Sequence, residues 1–212
     1  VTPPGDAIFL QDGLSGYSGT TDTFLNGSGT TVPFGSLEVL NSNKGLNNPL
    51  VRFAIFSDEG GPVPEGATIT FAALALYKSS DYDYTYRAHP LLIDWVENEA
   101  TWTQAANGNP WYEPGAASIG SDYAANGSLE VYADWDPGWI VLDVTDTVQS
   151  MSLGEQSNNG WQLIAGTGNG NQKSFHASEY PADPTLRPKL ILQFDGNINH
   201  RPSVALTAPN EG

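Results

Sequence analysis

The stretch TITFAALALYK, residues 68–78, reads as a β-strand whose alternation puts Leu74 and Leu76 on one face and Ala73, Ala75 and Tyr77 on the other. LVRFAIF (50–56) repeats the pattern, with Val51, Phe53 and Ile55 turned to a core and Arg52 and Ala54 turned away. Working outward, AIFLQ (7–11), SLEVLN (36–41), DYTYRAH (83–89), GWIVLDVT (138–145), GWQLIAG (160–166), KSFHASEY (173–180) and KLILQF (189–194) add period-two segments between clusters of Gly, Asn, Asp and Pro. Helix signals are confined to DVTDTVQSMSLG (143–154), where Val144, Val148 and Met151 recur at helical spacing after an Asp or Thr cap. The expected fold is all-β, with two packed antiparallel sheets.

Composition agrees with short strands and many turns: 212 residues contain 23 Gly, 15 Pro, 6 Trp and 9 Tyr but one Met. Eight Lys+Arg against 24 Asp+Glu leave a net charge of −16, which offers no basic footprint for nucleic acid or an anionic membrane. Without Cys, thiolate nucleophiles and Cys-ligated zinc are excluded. No stretch approaches the roughly 18 apolar residues of a membrane span. The start, VTPPGDAIFL, lacks the basic and apolar regions of a signal peptide, so the chain is expected to be a mature or excised piece. Residues 1–195 read as one domain, and the tail 196–212 reads as a linker.

The ordered series QDGLSGYSGTTDTFL, GSLEVL, NNPLVRFAIF, VPEGATITFAALALYK, DWVENEATWTQ with NPWYEPGA, GWIVLDVTDTVQSM, NNGWQLIAG, SFHASEY and RPKLILQF is similar to the DNRLRE-type domains. These are β-sandwich carbohydrate-binding modules appended to secreted polysaccharide-degrading enzymes, alginate lyases among them. The resemblance spans about residues 6–195 and departs from the family at GSDYAANGSLEVYADWDP (120–137). It implies a jelly-roll sandwich with a non-catalytic sugar-binding role, a tethered catalytic domain, a monomer and an extracellular location. The tail resembles the opening strand of an Ig-like module, truncated here.

Sugars are held by stacking their C–H faces on aromatic rings and by hydrogen bonds to planar polar groups. Arg52 and Tyr77 leave the core beside small residues; if DYTYRAH pairs with the same sheet, Arg87 and His89 share a face, and His176 and Lys189 also point off the core. Arg52, Tyr77, Arg87, His89 and His176 are therefore ligand-binding candidates, the alternative being solvated positions with carboxylate neighbours. Trp95, Trp102, Trp111 and Trp161 read as structural, whereas Trp135 and Trp139 flank a Pro-Gly turn and can project, as can Tyr82 and Tyr84. Trp135 joins the candidates.

Jelly-roll sugar modules often carry a structural calcium ion, which takes six to eight oxygens. Asp12 and Asp22, in a loop rich in glycine, are the candidate ligands, with Glu179 or Asp143 as a further carboxylate; simple Asx turns are the alternative. Asp143 and Glu179 can also be read as partners of Arg187. Asp94, Glu97 and Glu99 are the only carboxylate group suggestive of glycoside hydrolysis, but no pocket signature accompanies them. The expected ligand is a marine algal cell-wall glycan, with alginate suggested by the family and a neutral agarose-type galactan favoured by the negative field. A structural or adhesive spacer and a polysaccharide lyase or glycosidase remain as alternatives.

Overall fold

The computed structural model describes residues 4, 6–29, 31–81, 83–168 and 172–195. The tail at 196–212, with His200, and Tyr82 lie outside the described residues. Strands β1 (Ile8–Gln11), β2 (Thr20–Asn26), β3 (Val39–Ser42), β4 (Asn47–Phe53), β5 (Thr68–Lys78), β6 (Tyr84–Pro90), β7 (Gln104–Ala106), β8 (Asn109–Pro110), β9 (Val131–Ala133) and β10 (Gly138–Asp143) precede helix α1 (Thr145–Ser152). Strands β11 (Trp161–Gly168), β12 (Lys173–His176) and β13 (Lys189–Asp195) follow it. Strands and isolated bridges take up 42% of the described residues against one short α-helix, so the fold is all-β.

Every named strand pairing is antiparallel. The six-stranded sheet runs β1-β13-β5-β12-β3, with β10 also on β5. Because Ala73–Ala75 pair with both β13 and β10, those two strands occupy opposite edges of β5; Lys78 pairs with Gly138 and Phe175, so β12 continues on the β13 side. The five-stranded sheet runs β2-β4-β11-β6-β9, and a small β7-β8 hairpin stands apart. Strand β6 thus belongs to the sheet opposite β5, which separates Arg87 and His89 from Tyr77.

The alternation is realised at the core between the sheets: Val51, Phe53, Leu74, Leu76, Tyr86, Trp161, Leu163 and Phe175 are all buried there. Tyr84, expected to project from a loop, is 2% exposed in the same core because it starts the inward set of β6. In α1, Val148 and Met151 pack on the sandwich, and the Asp143 carboxylate accepts the Thr145 N–H at 3.0 Å as an N-terminal anchor. Strand β2 carries no clean alternation because both its faces are covered: Leu25 joins the apolar cluster outside the five-stranded sheet and Phe24 stacks on Phe34 at 4.5 Å. Among the described residues no helix is long and apolar enough to cross a membrane.

Candidate functional site

The two outer faces of the sandwich differ in what lies on them. Over the five-stranded sheet, residues 91–130 fold back and build a second apolar cluster from Leu91, Trp95, Trp111 and Tyr123 against Leu25 and Leu50 of the strands. The outward polar side chains of this sheet hold that covering down. Arg52 Nη1 lies 2.7 Å from Asp94, and its guanidinium sits 5.2 Å from the Trp95 ring. Asn48 and Gln162 both donate to the Gly115 carbonyl, at 2.8 and 2.9 Å. His89 Nδ1 is 3.0 Å from the Ala124 carbonyl and its ring meets Tyr123 edge-on. A Cβ at Gly127 would stand 2.6 Å from the His89 ring, so only glycine lets the chain lie this close. Arg87 reaches the Ser128 carbonyl at 3.2 Å and Glu130 at 4.0 Å. Arg52, Arg87 and His89 therefore engage the protein's own covering segment. The expected joint surface of Arg52, Tyr77 and Arg87 does not form, since Tyr77 lies on the other sheet.

The covering segment also explains the tryptophans. Trp95 and Trp111 are 1% and 5% exposed, donating to the Asn159 and Thr101 carbonyls. A feature that sequence reading missed is Asp122, fully buried, whose carboxylate accepts the N–H groups of Tyr112, Glu113 and Ser118 at 2.8–3.0 Å. Only its position between two turn-rich stretches could have marked it.

The outer face of the six-stranded sheet is covered far less, by Tyr180 of the loop after β12, which leaves His176 8% exposed. Tyr77 on β5 is paired in register with Trp139 on β10, their rings edge to face at 5.5 Å. On the other side Tyr77 is parallel to His176 of β12 at 5.4 Å, and His176 stacks on Tyr180 at 3.6 Å. The result is an aromatic row that crosses three strands. Ala73 and Ala75 were expected to leave room for a ligand; they are buried because Phe71, Trp139, Val141 and Ile191 close over them. Lys189 places Nζ 3.7 Å from the centre of the Trp139 ring and makes no ion pair among the described residues. Burial holds the Lys189 ammonium and the His176 imidazole below their ordinary pKa values, Asp183 partly opposing the shift at His176.

Trp139 continues this row into a cleft of about 270 Å³, lined by Tyr132, Asp134, Asp136 and the buried stem of Lys78. Lys78 ends β5 on its inward face, 1% exposed, and donates to the carbonyls of Ser80 at 2.5 Å and Trp135 at 3.0 Å. One buried ammonium thus staples two loops. Burial lowers its pKa, while Asp81, Asp134, Asp136 and Asp83 oppose that shift. Trp135 lies in the loop that forms the cleft and is 48% exposed, without itself lining the walls. Tyr132 Oη donates to Asp83 at 3.0 Å. The chemistry on offer is aromatic contact combined with carboxylate acceptors, which matches sugar C–H faces and hydroxyls.

Asp12 and Asp22 lie away from this cleft. Asp12 accepts the Thr20 N–H at 2.9 Å, and Asp22, 1% exposed, accepts the Ser178 N–H at 2.8 Å. Asp22 Oδ1 and Glu179 Oε2 are buried without a hydrogen-bond partner. Burial, then the neighbouring Glu179 and Glu97, push the Asp22 carboxyl well up from its ordinary range, so the geometry favours a proton there. Among the described residues no group of three or more His, Asp or Glu side chains is arranged to hold a metal ion. Asp143 caps α1 and Glu179 accepts the Ser178 hydroxyl; Arg187 bonds the carbonyls of Tyr180 and Asp12, so the expected bridge to these carboxylates does not form. Asp94, Glu97 and Glu99 are occupied by Arg52, the Asp22 N–H and the Asn107 N–H respectively.

No family model matches the chain, and no curated protein matches it.

Proposed function

We propose that the chain is a non-catalytic carbohydrate-binding module of the DNRLRE type, which holds a secreted polysaccharide-degrading enzyme against an algal cell-wall glycan. Tethering of this kind raises the effective concentration of catalytic domain at the polymer without chemistry in the module itself. The observation that carries the reading is Trp139, which joins a carboxylate-lined cleft to the row Tyr77, His176 and Tyr180. Four aspartates, Asp81, Asp83, Asp134 and Asp136, outnumber the two buried ammonium groups of Lys78 and Lys173 at that end. They repel uronate and sulfate groups and accept hydroxyls, which favours a neutral agarose-type galactan.

Lys189 supports a second reading, in which alginate binds. It is a cation on an aromatic ring with no ion pair among the described residues, in a chain of net charge −16. Affinity electrophoresis against a polysaccharide panel separates the readings. Retardation by agarose-type galactan, weakened in the folded fraction of Trp139→Ala, is the expected result. Retardation by alginate alone favours Lys189 as the key contact, no retardation by any glycan leaves a spacer, and release of reducing ends or unsaturated sugars reveals an enzyme.

A further inference from the structure

The cations of this acidic chain are unevenly committed. Of the eight Lys and Arg side chains, Arg52 and Arg87 face Asp94 and Glu130, Lys78 and Arg187 donate to loop carbonyls, and Lys173 is fully buried against the Tyr84 ring. Lys44 stands in an exposed turn, and Arg201 lies outside the described residues. Lys189 differs from all of these, being half-buried, held on a ring and without an ion pair among the described residues. It pairs in register with Ala75 of β5, whereas Trp139 lies on β10 at the other edge of β5. The two side chains meet across β5 beside the small Ala75, which brings Nζ 3.7 Å from the centre of the Trp139 ring, while Tyr77 steadies the indole edge-on. A cation–π contact of this kind positions an ammonium without cancelling its charge. An oxyanion would give it the charge-assisted hydrogen bond it lacks. Carboxylates stand at both ends of β10: Asp134 and Asp136 line the cleft before Gly138, and Asp143 ends the strand on the exposed side. A polyuronate, charged on every sugar, would set its further charges against these aspartates, whereas a lone oxyanion on a neutral chain meets only the ammonium.

Resting on the proposed glycan-binding reading, we infer that Lys189 is a charge-reading subsite: the face takes a neutral galactan-type chain that carries an isolated oxyanion substituent, a sulfate ester or a carboxylate, and Lys189 pairs with that substituent beside Trp139. Sparse charge is then selected, and dense charge is rejected.

Titration calorimetry on the intact chain tests this with agarose-type oligosaccharides of one length, either unsubstituted, bearing one sulfate ester or bearing one carboxylate, and with an alginate oligosaccharide of the same length. The singly charged probes should bind about three- to tenfold more tightly than the unsubstituted one at low salt, and the advantage should disappear at high salt. A gain with only one of the two charged probes supports the inference and identifies the substituent. Lys189→Gln should bind charged and unsubstituted probes alike, and Lys189→Arg should keep the preference. The probe series on the wild type decides the matter even if a variant fails to fold. No gain with either charged probe, a gain that survives in Lys189→Gln, or alginate binding at least as tightly as the singly charged probes overturns the inference alone. Absence of binding by every probe overturns the glycan-binding reading together with it.

Discussion

The outer faces of the two sheets start from the same sequence pattern and end as different objects. Both β4 and β5 turn every second side chain away from the core, Asn48, Leu50 and Arg52 in the first and Phe71, Ala73, Ala75 and Tyr77 in the second. On the five-stranded sheet, residues 91–130 cover them, and Arg52, His89, Gln162 and Asn48 become anchors for that cover. On the six-stranded sheet the row is covered only at one end: Tyr77 and Trp139 are half-buried, while Tyr180 from the loop after β12 stacks on His176 and leaves it 8% exposed. Pointing away from a core is a local property of a strand. Being available to a ligand depends on where distant chain comes to rest.

The sharpest way to break the comparison is to strip the cover. Trp95→Ala removes a side chain that is 1% exposed and leaves the Asn159 carbonyl without its donor, so a loss of roughly 3–5 kcal/mol is expected in urea unfolding. A loss below about 1 kcal/mol would mean that the segment is not packed as a second core.

Arg52→Ala should have a smaller effect. The pair with Asp94 is partly exposed and the cation–π contact with Trp95 is modest, so about 1 kcal/mol is expected, with glycan affinity unchanged. An affinity loss at an unmoved thermal midpoint would return Arg52 to the ligand.

The smallest expected effect is a slope. Asp22 has a folded pKa raised by burial and by Glu179 and Glu97, so between its ordinary and its folded value the native state holds the extra proton. Stability from this group is therefore lost as pH rises through that window, and Asp22→Asn should flatten the fall. Burial lowers the pKa of His176, so that residue has the opposite sign, costing stability as pH drops below the ordinary histidine range. Thermal midpoints between pH 4 and 8 check both, and an unchanged slope in Asp22→Asn would contradict the buried proton. A midpoint that calcium raises in the wild type and not in the variant would place a cation there instead.

The sequence made the sandwich core legible because Val51, Phe53, Leu74 and Leu76 meet one partner, the opposite sheet, and period two is all that such a face requires. Strand β2 escaped notice because it is buried on both sides, and β9 because it is three residues long at a sheet edge. For the site, the outward positions of Tyr77, His176 and Lys189 could be read from alternation. That Tyr77 meets Trp139, and that Arg87 belongs to the other sheet, follows from strand order and register, which no single strand encodes. Tyr180 and Tyr132 were missed for the same reason, since one follows a strand end and the other lies on a short edge.

The central claim is that the face bearing Tyr77 and Trp139, and not the face under residues 91–130, holds the glycan. Retardation in gels containing agarose-type galactan, measured at low and at physiological salt for wild type, Trp139→Ala, Tyr77→Ala, Arg52→Ala and Arg87→Ala, tests it most directly. Retardation should vary little with salt, fall about tenfold or more in affinity for the two aromatic variants, and persist in the two arginine variants. Loss in the arginine variants with retention in the aromatic ones would contradict it.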